Sequence, residues 1–214
     1  MKPPVQSGIM NIGIIDIGIG NLKSIQNILD RLGYASSIIR EKEGLGAADK
    51  LLLPGMGNFD KCMQALNESG LREELEVQVL QNRKPFLGIC VGLQMLMRRS
   101  DEGVERGLAW IDGDTIGFNV SRLLSNQKVP NMGWLDILIQ HPNDLSGELN
   151  EARFYFAHSF HVQVDRDEDI WITAEYGYPF TAAIKRDNIY GVQFHPEKSH
   201  KYGMQLFKNF AERA

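Results

Sequence analysis

The chain has 214 residues, of which 43% are hydrophobic and 23% are charged, and its formal net charge at pH 7 is −4. This mild acidic balance gives no electrostatic basis for binding nucleic acid, which requires clustered Lys and Arg. The longest apolar run, residues 86–97, is too short to cross a bilayer, so no membrane association is expected. Two cysteines are too few for a disulfide framework, and a reactive thiol needs a reducing compartment, which predicts a cytoplasmic location.

The first half of the chain alternates predicted strands with predicted helices. Residues 1–9 resemble a flexible extension, and residues 10–214 are expected to form a single domain. Strands are predicted over residues 11–17, 36–40, 50–53 and 86–89, with helices after Asn21, after Asn58, over 71–81 and over 93–97. This alternation predicts a parallel sheet with right-handed crossovers.

The second half is predicted to consist mainly of short strands separated by turn residues. They span residues 110–118, 129–139, 153–164, 170–175, 180–185 and 189–194, with a hairpin turn at Asp187-Asn188 and a closing helix over 200–211. The whole pattern predicts one three-layer α/β domain, whose central sheet is mostly parallel and gains antiparallel strands late in the chain.

A candidate nucleophile stands between the strand at 86–89 and the helix that follows. Cys90 lies in Gly-x-Cys-x-Gly, in which Gly88 and Gly92 allow the chain to turn sharply from strand to helix. The same geometry with serine is the nucleophile elbow of hydrolases. A cysteine at a helix N-terminus lies near the positive end of the helix dipole, which favours the thiolate. The alternative is a buried cysteine of a core strand.

A thiolate nucleophile needs a base, and the base needs a group that orients it. His195 ends the apolar run 189–194, and Glu197 follows two residues later. In an extended segment, residues i and i+2 project to the same side, so the carboxylate is predicted to hold one imidazole nitrogen while the other faces Cys90. The alternative for His195 is a structural histidine at a strand end.

The other histidines give weaker signals. His158 either lines the site or is a satisfied core histidine, whereas His161 is expected to be exposed and His200 to begin the last helix. No spacing among His, Cys, Asp and Glu suggests a metal site.

Two glycine-containing turns follow parallel strands and invite a functional interpretation. The turn at Gly55-Met56-Gly57 and the backbone N–H of Val91 are candidate donors to a developing oxyanion, because both lie at the carboxyl edge of the sheet. Gly18-Ile19-Gly20 begins like a dinucleotide-binding fingerprint, but Lys23 replaces its third glycine, which disfavours that reading.

Three motifs together resemble the class I, triad-type glutamine amidotransferases. They are PGMG at 54–57, LGICVGLQ at 87–94 and VQFHPEKS at 192–199. Three further motifs narrow the resemblance to the glutaminase subunits of imidazole glycerol phosphate synthases: DIGIGN at 16–21, VPNMGW at 129–134 and YFAHSF at 155–160. The resemblance covers residues 10–214 and implies the flavodoxin-like fold of that family.

The resemblance implies an activity and a set of site residues. Cys90, His195 and Glu197 would hydrolyse L-glutamine to glutamate and ammonia through a thioester, without a metal or organic cofactor. Residues implied to bind glutamine or its oxyanion are Gly55, Gly57, Val91, Gln94, His158, Ser159 and Phe160.

The resemblance also implies a partner, a (β/α)₈-barrel cyclase that forms a heterodimer with the glutaminase and receives ammonia for histidine biosynthesis. The implied contact residues are Asn21, Pro130, Asn131, Met132, Gly133, Trp134, Tyr155 and Lys198, although a buried structural Trp134 is an alternative. Other features, such as Ser199-His200, resemble a paralogous branch that supplies ammonia for bacterial surface-sugar modification. A stand-alone cysteine hydrolase of the same fold and a non-catalytic scaffold are the remaining alternatives.

Overall fold

Five parallel strands form the part of the sheet that positions the predicted site. The computed structural model describes residues 10–214, so the predicted extension at 1–9 lies outside the described residues. The parallel strands lie in the order β2-β1-β3-β4-β11. Their bounds are β1 Asn11–Ile15, β2 Ala35–Ile39, β3 Lys50–Gly55, β4 Phe86–Cys90 and β11 Ile189–Val192.

Six further strands extend this sheet by antiparallel pairing. The path continues from β11 through β10, β9 and β6 to β7, and β8 pairs with both β5 and β10. The prediction of a mostly parallel central sheet with additional antiparallel strands is confirmed. The bounds are β5 Gly113–Gly117, β6 Asn131–Ile139, β7 Arg153–His158, β8 Phe160–Val164, β9 Ile170–Tyr176 and β10 Tyr178–Arg186.

Six α-helices accompany the sheet within residues 10–214. Helix α1 contacts α6, and α2 contacts α4. The side chain of Asn58 caps α3 by accepting a hydrogen bond from the backbone N–H of Lys61, whereas Asn21 precedes α1 without such a bond. The helices are α1 Leu22–Leu32, α2 Lys42–Ala47, α3 Phe59–Glu68, α4 Arg72–Glu76, α5 Val91–Gln94 and α6 His200–Arg213. None of the helices in this part of the chain is long and apolar enough to cross a membrane.

Several element predictions need correction. The predicted strand 153–164 is two strands, because the chain breaks at Ser159 and β7 and β8 pair with different neighbours. The predicted helix 71–81 is α-helical only as far as Glu76 and then widens into a π-helix over Val77–Gln81. The predicted helix 93–97 starts earlier, at Val91, and its α-helical part ends at Gln94. Helix α2 was not predicted.

Three parallel neighbours bring their carboxyl ends to the same edge of the sheet. Gly55 at the end of β3 pairs in register with Cys90 at the end of β4, and Val192 at the end of β11 pairs with Ile89. His195 follows three residues after Val192. The topology therefore places the glycine turn, the candidate nucleophile and the candidate base beside one another.

Candidate active site

Cys90 occupies a strained turn between β4 and α5. Its backbone has φ 56° and ψ −110°, a conformation that residues with a side chain rarely adopt. The turn is possible because neighbouring backbones approach closely: a Cβ on Gly92 would lie 2.0 Å from the carbonyl oxygen of Leu53, and one on Gly88 would lie 2.5 Å from that of Gly92. The buried Cys90 side chain nevertheless lines a cavity at the sheet edge, as a nucleophile elbow requires.

His195 and Glu197 form a buried hydrogen-bonded pair. The Nδ1 atom of His195 lies 2.9 Å from Oε1 of Glu197, and both side chains are almost fully buried. The predicted contact is present, although residues 196–198 form a 3₁₀ turn rather than an extended segment. Burial by itself lowers the pKa of His195, but hydrogen bonding and charge attraction from Cys90 and Glu197 outweigh burial and raise the pKa to about 10. The ring is therefore stabilised as an imidazolium beside the sulfur.

A cavity of about 220 Å³ contains both Cys90 and His195 in its wall. Its wall also carries one acidic side chain, Glu102, and one lysine, Lys198, neither of which was assigned to the substrate pocket from the sequence. Predicted substrate-binding residues in the wall are Gly57, Val91, Gln94, His158, Ser159 and Phe160.

A second cavity of about 200 Å³ lies beside the first. His195, Met56 and Lys198 line both cavities, so the candidate base stands between them. Gly55, predicted near the substrate, lines this second cavity rather than the first. Asn21, predicted to contact a partner, lies in the same wall.

The remaining predicted partner residues divide into surface and buried positions. The half-buried Trp134 ring stacks on His200, with ring centroids 5.5 Å apart, and lies edge-on to Tyr155 at 6.2 Å. The Nζ atom of Lys198 lies 5.8 Å from the centre of the Tyr155 ring. Pro130 and Met132 are exposed and Gly133 is half-buried, but Asn131 is only 1% exposed.

His158 is a cavity-lining histidine and also a satisfied core histidine. Its Nδ1 lies 2.8 Å from the carbonyl oxygen of Phe160, and its Nε2 lies 3.1 Å from Nδ2 of Asn131. Burial lowers the pKa of His158 to about 3, so the ring is neutral. The expectation that His161 is exposed is wrong: it is 5% exposed, and its ring packs beside Phe118 at 5.0 Å.

Sequence reasoning missed Gln193, whose side chain lies 3.8 Å from the sulfur of Cys90. The signal was available, because a glutamine inside an apolar strand run must find hydrogen-bond partners when it is buried. Within residues 10–214, no group of three or more His, Cys, Asp or Glu side chains is arranged to hold a metal ion.

A family model described as glutamine amidotransferase class-I matches residues 13–214 of the chain. The chain belongs to the class-I glutamine amidotransferase family. As a class-I amidotransferase, it resembles two imidazole glycerol phosphate synthase subunits named HisH 2. The protein from Pseudomonas aeruginosa is 48% identical over 94% of this chain and 98% of its own length. The one from Methanococcus maripaludis is 45% identical over 95% of this chain and its full length, 100%.

Solved structures share the fold at low sequence identity. A crystal structure titled glutamine amidotransferase has a TM-score of 0.72 at 18% identity and covers 96% of this chain and 98% of its own. The structure of PurLQS from Thermotoga maritima has a TM-score of 0.72 at 16% identity, over 95% of this chain and 98% of its own. These likenesses confirm the predicted class I amidotransferase fold.

Proposed function

We propose that this amidotransferase is the glutaminase subunit of an imidazole glycerol phosphate synthase. It hydrolyses L-glutamine to glutamate and ammonia and delivers the ammonia to a (β/α)₈-barrel cyclase subunit in histidine biosynthesis. The observation that carries the proposal is that His195, hydrogen-bonded to Glu197, lies in the same cavity wall as the strained Cys90. Relatives named as subunits of that synthase, aligned over nearly the whole chain, support the choice of pathway.

The first half-reaction forms a thioester and releases ammonia. The sulfur of Cys90 attacks the side-chain carboxamide carbon of glutamine, and the carbon–nitrogen bond then breaks. Nδ1–H of His195 donates a hydrogen bond to Glu197, which leaves Nε2 to donate a proton to the departing nitrogen. The raised pKa of His195 keeps that proton available at neutral pH.

The second half-reaction hydrolyses the thioester. A water molecule loses a proton to Nε2 of His195 as its oxygen attacks the acyl carbon, and the carbon–sulfur bond breaks to release glutamate. The negative oxygen that develops in both half-reactions needs fixed N–H donors. The backbone N–H of Val91 and the 55–57 turn are the candidates, since Val91 and Gly57 both line the cavity beside Cys90.

The charges of the cavity fit the amino-acid end of glutamine. A free amino acid carries an ammonium and a carboxylate, and the cavity wall offers the carboxylate of Glu102 and the amine of Lys198. Gln94 adds a neutral group: its Nε2 donates to Phe160 and Gln193, which leaves its carbonyl oxygen for the substrate ammonium. These three groups favour free glutamine over an uncharged amide.

Transfer of ammonia to a partner is supported by the second cavity. It shares with the first cavity the side chain of His195, which donates a proton to the departing nitrogen, and its wall includes Asn21 and Lys198 from the predicted docking surface. Ammonia that crosses this cavity reaches the partner without entering bulk water, where it would be protonated. The half-buried aromatic rings of Trp134 and Tyr155, with the exposed Lys198 beside Tyr155, supply a contact surface for the partner.

The proposal is tested by measuring glutamate formation with and without a purified imidazole glycerol phosphate synthase cyclase subunit. We expect slow hydrolysis by the isolated chain and a strong increase when the cyclase and its nucleotide substrate are added. Cys90→Ala is expected to abolish hydrolysis and retain complex formation. Glutamate production by Cys90→Ala contradicts the nucleophile assignment, and full activity without any partner, with faster cleavage of γ-glutamyl conjugates, indicates a stand-alone hydrolase instead.

A further inference from the structure

Gln193 is a fully buried polar side chain within an apolar run. It is 0% exposed and stands between Val192 and Phe194, both also fully buried. Burying an amide is unfavourable unless hydrogen bonds satisfy it, so the partners of Gln193 indicate what its side chain does at this position.

A backbone carbonyl determines which groups donate and which accept in the hydrogen bonds of Gln193. The Phe160 carbonyl oxygen can only accept, so the Gln94 atom 3.1 Å from it must be the amide nitrogen Nε2. That nitrogen also lies 3.1 Å from the Gln193 side chain, which must present its oxygen. The remaining Gln193 group, its Nε2, therefore points its hydrogens at the sulfur of Cys90, 3.8 Å away.

An N–H donor aimed at this sulfur has two consequences. It stabilises negative charge on the sulfur when the sulfur acts as a nucleophile, because the N–H dipole is directed at it. It also restricts the rotation of the Cys90 side chain, which lies in the same cavity wall as His195. The positive charge of the His195 ring stabilises a negative sulfur, and the Gln193 amide restricts the orientation of the Cys90 side chain.

The chain of hydrogen bonds continues outward from Phe160. The Phe160 carbonyl also accepts from Nδ1–H of His158, so Nε2 of this neutral ring accepts from the amide of Asn131. Asn131 begins strand β6, next to the exposed Met132 and near Trp134. The buried Asn131 is therefore joined to the nucleophile through three side chains and one carbonyl, although it has almost no surface to offer a partner.

We propose that Gln193 is a positioning residue for the Cys90 sulfur, and that the hydrogen-bonded chain Asn131–His158–Phe160–Gln94–Gln193 couples the start of β6 to the nucleophile. The proposal rests on the function proposed above, in which Cys90 attacks glutamine. A movement of β6 shifts Asn131, and the connected hydrogen bonds transmit this shift to the Gln193 amide, which contacts the sulfur.

The experiment measures the rate of Cys90 alkylation by iodoacetamide between pH 5 and pH 10 in the full chain, with peptide mass spectrometry to follow Cys90 separately from the buried Cys62. Gln193→Met keeps the size of the side chain and removes both hydrogen bonds. We expect it to raise the pH midpoint of alkylation by about 0.5–1 unit and to slow alkylation at pH 7 by about 3- to 10-fold.

Two further variants keep the test decisive if Gln193→Met fails to fold. Gln193→Glu retains the oxygen that accepts from Gln94 and places negative charge beside the sulfur, so the midpoint should rise further. Asn131→Leu removes the residue of the hydrogen-bonded series that is farthest from Cys90, and we expect a smaller rise in the pH midpoint of alkylation. An unchanged midpoint in folded Gln193→Met or Gln193→Glu overturns the positioning role, and an unchanged midpoint in Asn131→Leu overturns the coupling to β6.

The matched control is Gln78→Met, because Gln78 is also a buried glutamine with two side-chain hydrogen bonds, to Glu74 and Asn82. It should lower the melting temperature without moving the alkylation midpoint. A midpoint that rises equally in Gln78→Met shows a merely structural effect and contradicts the proposal. Alkylation needs neither glutamine nor a partner, so the two proposals can fail separately. A shifted midpoint supports the positioning role of Gln193 even in a protein that forms no glutamate. The absence of glutamate formation contradicts the proposed function.

Discussion

The Glu197 carboxylate uses only one of its two oxygens within the described part of the chain. Oε1 accepts the hydrogen bond from His195, whereas Oε2 is buried and has no partner among residues 10–214. Because this carboxylate is buried, solvent screens its electrostatic attraction to the nearest cation only weakly. The imidazolium of His195 is that cation, so Glu197 contributes charge as well as orientation.

Replacing Glu197 with Gln separates these two contributions. The amide oxygen of Glu197→Gln still accepts from Nδ1–H, but the negative charge is gone and the pKa of His195 falls. We expect the alkaline limit of kcat/KM to move down by about 1–3 pH units and kcat to fall by about 10- to 100-fold, less than in His195→Ala. Glutamate formation measured from pH 6 to pH 10 checks this, and an unchanged alkaline limit would mean that Glu197 only orients the ring.

The sequence indicated the candidate catalytic residues more readily than the residues that contact them. The Cys90 turn and the spacing of His195 and Glu197 are local patterns, so each could be recognised without knowing which strands are neighbours. Gln193 and Gln94 are 99 residues apart in the chain, and their hydrogen bond exists only because β11 lies beside β4. Such a contact depends on strand order, which no local pattern specifies.

At the scale of elements, the errors occur where local preference and tertiary contacts disagree. Helix α2 contains Gly44 and Gly46, which have low helix propensity, so its sequence gave no helical signal. The continuous apolar run at 153–164 predicted one strand, because hydrophobicity does not show where a strand changes partners. Its break at Ser159 exposes that residue and Phe160 to the candidate cavity, so the missed feature is part of the site.

The elbow can be tested with two glycine substitutions that differ in their surroundings. A Cβ on Gly92 would collide with the Leu53 carbonyl, whereas the atom nearest to a Cβ on Gly46 is 3.9 Å away. We expect Gly92→Ala to lower the free energy of unfolding by about 1–3 kcal/mol and to slow Cys90 alkylation. Gly46→Ala should raise it by about 0.5–1 kcal/mol because Ala favours helix. Urea unfolding measures both, and equal stabilities would contradict the close packing of the elbow.

Across the whole molecule, the candidate cavity joins the two parts of the sheet. The parallel strands supply Cys90 and lead directly to His195, and the antiparallel extension supplies the wall at residues 157–160. The predicted docking residues Trp134 and Tyr155 belong to neighbouring strands β6 and β7 of this extension. A partner that binds there contacts β7, whose Ala157 and His158 line the candidate cavity.

Truncating Trp134 tests whether this surface binds the partner. Trp134→Ala removes the ring that stacks on His200 and lies against Tyr155, and we expect the affinity for the cyclase subunit to fall by about 10- to 100-fold. Leu138→Ala is the matched control, because Leu138 is exposed on the same strand but outside the predicted docking residues. Isothermal titration calorimetry measures both affinities, and an unchanged affinity in Trp134→Ala would place the interface elsewhere.

Two buried neutral histidines make the stability of the whole fold depend on pH. Burial lowers the pKa of His158 to about 3, against a backbone hydrogen bond that raises it, and burial also lowers the pKa of His161. Unfolding exposes both rings to water, where their pKa is about 6.5. Between pH 6.5 and pH 3 the unfolded chain therefore binds more protons than the folded one. Stability must fall as the pH falls through this range.

His158→Gln is expected to weaken this acid dependence, because glutamine stays neutral and retains a donor and an acceptor for Phe160 and Asn131. The free energy of unfolding of the parent should fall on going from pH 6.5 to pH 5, with a contribution from His158 whose slope approaches about 1.4 kcal/mol per pH unit at the acid end, and the variant should lose this contribution. His195 contributes a small slope of opposite sign near pH 6.5, since its pKa is raised in the folded state, and this contribution is common to the parent and the variant. Urea unfolding at pH 5.0, 5.5, 6.0 and 6.5 gives both slopes, and identical slopes would show that His158 is protonated in the folded protein.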